Sequence, residues 1–360
     1  MTLPPTDQPT EALTIEEVSR RAGEVLDAVE QAVVGKREAL TLVLTAVLAR
    51  GHVLLEDFPG LGKTLAARSF AQTLGLDFTR AQFTPDLLPS DLTGSFVYDQ
   101  KAAEFAFRPG PLFTGLLLAD EINRTPPKTQ SALLEAMQEH QVTVEGQTFP
   151  LPQPFHVLAT ANPVEYEGTY PLPEAQLDRF LMRVSFGYPS PEEEWDVLRR
   201  RLARQTEDQH LAPVTDAAGL TAMQAAIETL PVEDDISRYC VELATATRRH
   251  RAVLVGSSPR GSLALMLTSR AYAVIQGRDY VTPEDVKAVA HAVLDHRISI
   301  KPELWMSDTG GASVVTSALG QVPVPGARTG ASTVEDEDGP GRADGRIDGR
   351  ADRRAHDRRG

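Results

Sequence analysis

The stretch from Leu54 to Thr64, Leu-Leu-Glu-Asp-Phe-Pro-Gly-Leu-Gly-Lys-Thr, does most to narrow what this chain can fold into. An apolar run from His52 to Leu55 reads as a strand, a Pro/Gly loop follows, and Leu65 to Leu74 is compatible with a helix. Strand, glycine loop, Gly-Lys-Thr and helix is the layout of a phosphate-cradling loop. Backbone N–H groups converge on the loop, and the helix N-terminus adds partial positive charge. The expected nucleotide contacts are Pro59, Gly60, Leu61, Gly62, Lys63, Thr64 and Leu65. Lys63 is placed to reach the β- and γ-phosphates of a nucleotide, and the Thr64 hydroxyl to ligate Mg²⁺.

One residue departs from the pattern G-x-x-x-x-G-K-[ST], which asks for glycine where this chain has Asp57. A carboxylate aimed at a triphosphate repels it, so the expectation is that the Asp57 side chain points outward. Asp tolerates unusual backbone angles better than most residues. The plain alternative is an ordinary strand-turn-helix with a surface lysine.

Three downstream segments bear on the choice. Leu116 to Glu121 is an apolar strand ending in two acids. Asp120 is suited to holding Mg²⁺ and Glu121 to orienting and polarising an attacking water. Ala159-Thr160-Ala161-Asn162-Pro163 ends another apolar run; Asn162 either hydrogen-bonds the water or γ-phosphate, or forms a turn before proline. Leu177-Asp178-Arg179-Phe180 closes a helix, and its Arg179 is a surface ion-pair residue or an arginine finger. Ser258-Pro259-Arg260 puts a cation in a helix's first turn, which opposes the macrodipole unless an anion binds there.

Strand candidates recur at Phe78–Gln82, 115–119, 157–160 and 182–186, separated by helical stretches. Buried apolar strands alternating with helices imply a parallel sheet covered on both faces. A helix is expected from Ile15 to Val34, broken by Gly35, and a second from Glu38 to Arg50. Hairpins are expected between Gly94 and Pro109 and between Val142 and Phe155, the latter around Gly146. Ser190-Pro191-Glu192-Glu193 and Thr282-Pro283-Glu284-Asp285 are helix starts. Between and after them the pattern is helical with no strand run. Cys240, the single cysteine, sits in a helical pattern as a small core residue.

Net charge is −14, and the segment 326–360 carries eight acids and eight arginines, so the negative excess belongs to the folded part. That disfavours a DNA-coating function, and no nucleic-acid partner is expected. No run of about 18 apolar residues suggests a membrane span, and the first residues lack a secretory pattern, so the cytoplasm is the expected location. The expected organisation is a disordered 1–14, an α/β nucleotide-binding domain over 15–188, a helical domain over 189–325 and a disordered Gly/Arg/Asp-rich tail over 326–360.

Together these segments resemble the MoxR family of AAA+ ATPases, in the clade with a helix-2 insert. The resemblance covers roughly Val33 to Pro325. It is carried by Val34-Gly35-Lys36, Glu56 to Thr64, Thr84-Pro85-Asp86-Leu87-Leu88-Pro89-Ser90-Asp91 and Arg108-Pro109-Gly110-Pro111. It continues in Ala119 to Arg124, Ala159 to Pro163, Leu177 to Phe180, Ser257 to Arg260 and Gln321-Val322-Pro323-Val324-Pro325. Glu-Asp before Pro-Gly suits that family. The resemblance implies an α/β fold: a P-loop AAA+ five-stranded parallel sheet with helices on both faces, followed by a small all-helical lid domain. It places the insert in 94–109, makes Asn162 a sensor 1 and Arg260 a sensor 2, and puts Val33 and Val34 at the adenine pocket. Arg179 matches a finger delivered into a neighbouring subunit, which implies a homo-oligomeric ring, a hexamer. ATP and Mg²⁺ are the implied cofactors. The implied activity is chaperone-like remodelling or activation of partners, often with a von Willebrand A-type domain.

Two other readings compete. One is a nucleotide-gated binding module that hydrolyses slowly, against which stand Glu121, Asn162 and Arg179 together. The other is a DNA or metal-chelatase motor on the same scaffold. The acidic charge weighs against the first of these motors; the eight scattered histidines show no metal-ligand cluster, but a chelatase motor need not bind the metal itself, so the second stays open.

Overall fold

The structure is a computed structural model and describes residues 13–163, 168–206, 209–305, 307 and 309–326. The disorder expected for 1–12 and 327–360 lies outside the described residues. Leu13 and Thr14 are described, and Thr14 caps the first helix by accepting the Glu17 N–H at 3.2 Å.

Helices α1 (Ile15–Ala32) and α2 (Arg37–Leu48) flank Gly35, whose φ of 69° suits glycine. Then follow β1 (Val53–Glu56), α3 (Lys63–Thr73), β2 (Phe78–Gln82) and a short α4 (Pro89–Thr93). A hairpin of β3 (Gly94–Asp99) and β4 (Glu104–Pro109) precedes β5 (Leu116–Asp120) and α5 (Pro127–Glu139). A second hairpin, β6 (Gln141–Val144) and β7 (Gln147–Pro150), leads to β8 (His156–Ala161), α6 (Glu174–Leu177) and β9 (Met182–Val184). The remainder is α7 (Pro191–Arg204), α8 (Ala217–Glu228), α9 (Asp234–Arg249), β10 (Val253–Val255), α10 (Pro259–Ile275), α11 (Pro283–Leu294), β11 (Ser299–Ile300) and α12 (Gly311–Gln321).

The central sheet is five-stranded and parallel, in the order β2-β5-β8-β1-β9. Its three inner strands, β5, β8 and β1, are buried along nearly their whole length because both faces are covered. Leu116 and Leu118 of β5 join a core formed with α1, α2, α3 and helices α8 to α11. Leu117 and Ala119 turn the other way, into a core that includes Leu133, Leu134 and Met137 of α5. That alternation is the period of two expected of a strand. The first core crosses the expected boundary at residue 188, and the described part of 1–325 is one compact unit.

The two expected hairpins are present, and they pack on each other through Phe107 and Phe149, stacked at 3.9 Å. Gly94 is required where the first begins: a Cβ there would lie 2.3 Å from the Arg108 carbonyl, and its φ is 91°. Ser190 and Thr282 cap α7 and α11 with the expected boxes. The expectation of helices alone after residue 189 needs correction. Strands β10 and β11 pair antiparallel, and α12 closes the described chain. Strands of three and two residues carry no readable alternation, and α12 opens on Gly310-Gly311, which reads as loop.

Two histidines lock the sheet base in neutral form. The His52 Nδ1 accepts the Val157 N–H at 3.0 Å, so its Nε2 donates to the Met137 carbonyl at 3.1 Å. The His156 Nδ1 donates to the Gly51 carbonyl, and its Nε2 accepts from Gln224 of α8 at 3.1 Å. Burial, the main cause, pushes His52 down to about 3 and His156 to about 4. Unfolded histidines titrate near 6.5, so between that value and these the unfolded chain binds more protons. Stability should therefore fall as pH drops below 6.5, by about 2 kcal/mol per histidine at pH 5. Urea melts from pH 7 to 5 check this, and His52→Gln or His156→Gln should flatten the slope.

Candidate nucleotide-binding site

Strand ends bring the site together. On the ladder Glu56 of β1 lies opposite Ala161 of β8, and Gln82 of β2 opposite Asp120 of β5. The carboxyl ends of four neighbouring strands thus share one edge, where ligands of open parallel sheets bind. A pocket of about 390 Å³ opens there. Pro59, Gly60, Gly62, Lys63, Thr64 and Leu65 line one side. Asp120, Glu121 and Asn162 line the other, with Arg80 and Thr160.

The loop takes its shape from two glycines in the left-handed region, Gly60 at φ 82° and Gly62 at φ 83°. Gly62 is the N-cap of α3, so the first N–H groups of that helix face the pocket. Lys63 donates to the Asp57 carbonyl at 2.6 Å. Burial lowers its pKa, and the acids Asp57, Asp120, Glu121 and Glu56 oppose that.

The Asp57 side chain points away from the phosphate side of the loop, as the sequence reading required, but it is buried in the protein and not exposed. Its buried carboxylate turns away from the pocket lining and accepts the backbone N–H groups of Phe186 and, at 3.1 Å, Gly187. It ties the loop to the chain leaving β9. Asp57 is not among the described residues at positive φ, so the backbone at this position has no need of glycine.

Asp120 is buried, and both of its oxygens have partners. Oδ1 accepts the Thr160 hydroxyl at 2.6 Å. Oδ2 accepts from Arg80 through Nε at 2.9 Å and Nη2 at 2.6 Å. The Thr160 oxygen in turn accepts the Glu121 N–H at 2.8 Å. That bond pins Glu121 in the left-handed region at φ 60°, a conformation rare for a residue with a Cβ. The Glu121 carboxylate accepts from the Gln82 amide at 2.6 Å and from Arg124 at 3.1 Å. Asn162 is buried at the end of β8, and its carbonyl accepts from the Asn123 amide at 3.2 Å.

The residues fit a hard divalent cation. The Thr64 hydroxyl and Asp120 carboxylate offer oxygen donors in one pocket. The Arg80 guanidinium on Asp120 marks that side as one that accommodates positive charge.

The other sequence-derived residues stand outside the lining. Leu61 lies within the loop. Val33 is buried in the core as the C-cap of α1, and Val34 follows it, partly buried. Arg179 is partly buried just beyond α6, and no ion pair holds it among the described residues. Its neighbour Asp178 accepts from Arg297 at 2.9 Å and from the Ser258 hydroxyl at 3.3 Å. Arg260 is exposed in the first turn of α10, and its guanidinium reaches the Gln138 amide oxygen of α5 at 3.1 and 3.3 Å. Sequence reasoning missed Arg80, Gln82, Thr160 and Arg124. A charged Arg80 within a strand candidate, beside the buried Ala81, was the one available signal.

The sequence model of the ATPase family associated with various cellular activities (AAA) matches residues 52–182, and that of an AAA lid domain matches 245–316. The chain is 49% identical over 303 residues to the protein YeaC of Bacillus subtilis, covering 84% of this chain and 94% of that one. It is 42% identical over 306 residues to the chaperone MoxR1 of Mycobacterium tuberculosis, covering 82% and 80%. A crystal structure of a candidate ATPase from Cytophaga hutchinsonii superimposes with a TM-score of 0.80 at 40% identity, covering 85% of this chain and 96% of that one.

The Asp57 anchor generates a test. Asp57→Gly restores the glycine of the usual loop pattern but removes a buried acceptor from two N–H groups. It should lower stability by about 1–3 kcal/mol, measured by urea unfolding.

Proposed function

The chain belongs to the MoxR family of AAA+ ATPases and is an ATP hydrolase, and from that premise we propose that it hydrolyses ATP in this pocket to remodel or activate partner proteins. The observation that carries the reading is the meeting of the phosphate loop, the acid pair and Asn162 on one sheet edge. Pro59 to Leu65 cradle the phosphates, and Lys63 exchanges the Asp57 carbonyl for the β- and γ-phosphate oxygens. Thr64 and Asp120 would hold Mg²⁺, which would supply neutralising positive charge in the pocket. Glu121 gives up the Gln82 amide to orient and polarise the attacking water. Asn162 hydrogen-bonds that water or the γ-phosphate, and Arg260 contributes a cation from the lid. Val33 and Val34 flank the base.

Arg179 serves the neighbouring subunit's site, so the working form is a homo-oligomeric ring, a hexamer. Its place outside the pocket lining of its own chain supports this. Partners with a von Willebrand A-type domain fit the family resemblance. No described helix is long and apolar enough to cross a membrane, and the proposed place of action is the cytoplasm. The proposed division into a nucleotide-binding domain over 15–188 and a lid over 189–325 follows the change from strands to helices.

Glu121→Gln should bind ATP and hydrolyse it about 100-fold more slowly or worse, the usual loss for a water-orienting base. Near-normal steady-state turnover would assign the water to another residue.

Arg179→Ala should keep ATP binding and lose about 10³-fold in turnover. Mixing Arg179→Ala with Lys63→Ala subunits should recover activity, because some interfaces then pair an intact loop with an intact finger. Co-assembled mixtures no more active than the separate variants would place Arg179 in cis or in a structural role.

A further inference from the structure

We propose that Arg80 is a positioning residue for the metal side of this site: it holds the Asp120 carboxylate when no divalent ion is bound and yields it as Mg²⁺ and nucleotide arrive. This rests on the reading of Thr64 and Asp120 as the metal-side pair.

The geometry makes Arg80 the exchangeable partner. Two guanidinium nitrogens converge on the single oxygen Oδ2 of Asp120, and Nη2 also donates to the Gln82 amide oxygen at 3.0 Å. The other oxygen, Oδ1, is bound by Thr160, whose hydroxyl also fixes the Glu121 backbone. Breaking the Thr160 bond would disturb the Glu121 backbone; releasing Arg80 from Oδ2 leaves that backbone bond in place. The exposures agree. The Arg80 side chain is 51% exposed and that of Asp120 only 11%. An arginine already facing solvent can move away from Oδ2 with little desolvation to reverse.

Charge supplies the reason to move. A divalent ion held through Asp120 would share its neighbourhood with the Arg80 guanidinium and the Lys63 ammonium, and like charges at such range repel. Without a divalent ion the situation inverts. An uncompensated Asp120 would repel the phosphates, and Arg80 masks it. Because Arg80 also lines the pocket, it stays within the site after release. The chain thus carries its own monovalent cation on the carboxylate that the metal needs.

The test uses the full chain and a fluorescent ADP, with Kd measured in EDTA and in excess Mg²⁺. The readout is the Mg²⁺ enhancement, the first Kd divided by the second. Arg80→Gln should raise it about tenfold, the worth of one charge-assisted hydrogen bond, chiefly by weakening binding in EDTA. Arg80→Lys keeps the charge without the fork and should fall between. In an Asp120→Asn background, Arg80→Gln should leave the enhancement unchanged, since the coupling runs through that carboxylate. Equal weakening in both conditions would make Arg80 a phosphate ligand and overturn the proposal. So would an unchanged enhancement with a lowered melting temperature, which would make the pair structural. If the native chain shows no Mg²⁺ enhancement and Lys63→Ala binds as tightly, the site reading itself fails and takes this proposal with it.

Discussion

The Thr160 hydroxyl is the small group on which the pocket's chemistry depends. From β8 it reaches the adjacent strand β5, donating to the Asp120 carboxylate and accepting the N–H of Glu121, the residue that follows β5. One hydroxyl thereby fixes the acid suited to the metal side and the backbone of the acid suited to water. Its donor and acceptor functions are used together, and such chained hydrogen bonds polarise and strengthen one another. The left-handed backbone of Glu121 costs of order 1 kcal/mol or more, and this bond is part of what sustains it. Strain of that kind persists only where surrounding structure over-determines it. Here the over-determination comes from a sheet buried on both faces, which fixes the relative height of β5 and β8 through their shared ladder.

Much of this was legible in the residues. The strand from Phe78 to Gln82 was read with its bounds intact, and the other sheet strands to within two residues at either end, because each is a short apolar run between helical patterns. Lys63, Thr64, Asp120, Glu121 and Asn162 meet in one pocket, as the spacing of strand ends allowed one to expect. What escaped depends on position across the sheet. Arg80 and Gln82 matter because β2 lies beside β5, and strand order is not written in any local pattern. The pairing of Asp178 with Arg297 joins residues far apart in the chain, and nothing near either one announces it. Asp57 turns away from the phosphates as expected, but what holds it there was not legible for a similar reason: its partners are backbone groups, which have no sequence signature.

Asp57 also shows how a loop can keep its shape without the usual glycine. The two glycines at positive φ supply the bends, and the carboxylate secures the loop from behind by its bonds to Phe186 and Gly187. Glu56, one residue earlier, pairs with Arg183 on β9 at 2.9 Å. Consecutive acids therefore fasten the start of the phosphate loop to the same outgoing segment, so the loop and the exit toward α7 are held as one piece.

The buried Arg297 works as an axle pin. Its side chain, 3% exposed, donates to the Phe180 carbonyl at 2.7 Å and the Leu181 carbonyl at 3.2 Å, as well as to Asp178. Asp178 also accepts from Ser258, whose hydroxyl caps the helix that carries Arg260. The segment bearing Arg179 is thus bolted to the turn after α11 and to the head of α10. Through these bonds a tilt of those helices would pull on the segment that carries Arg179, so the directions of the two arginines are tied through one buried guanidinium.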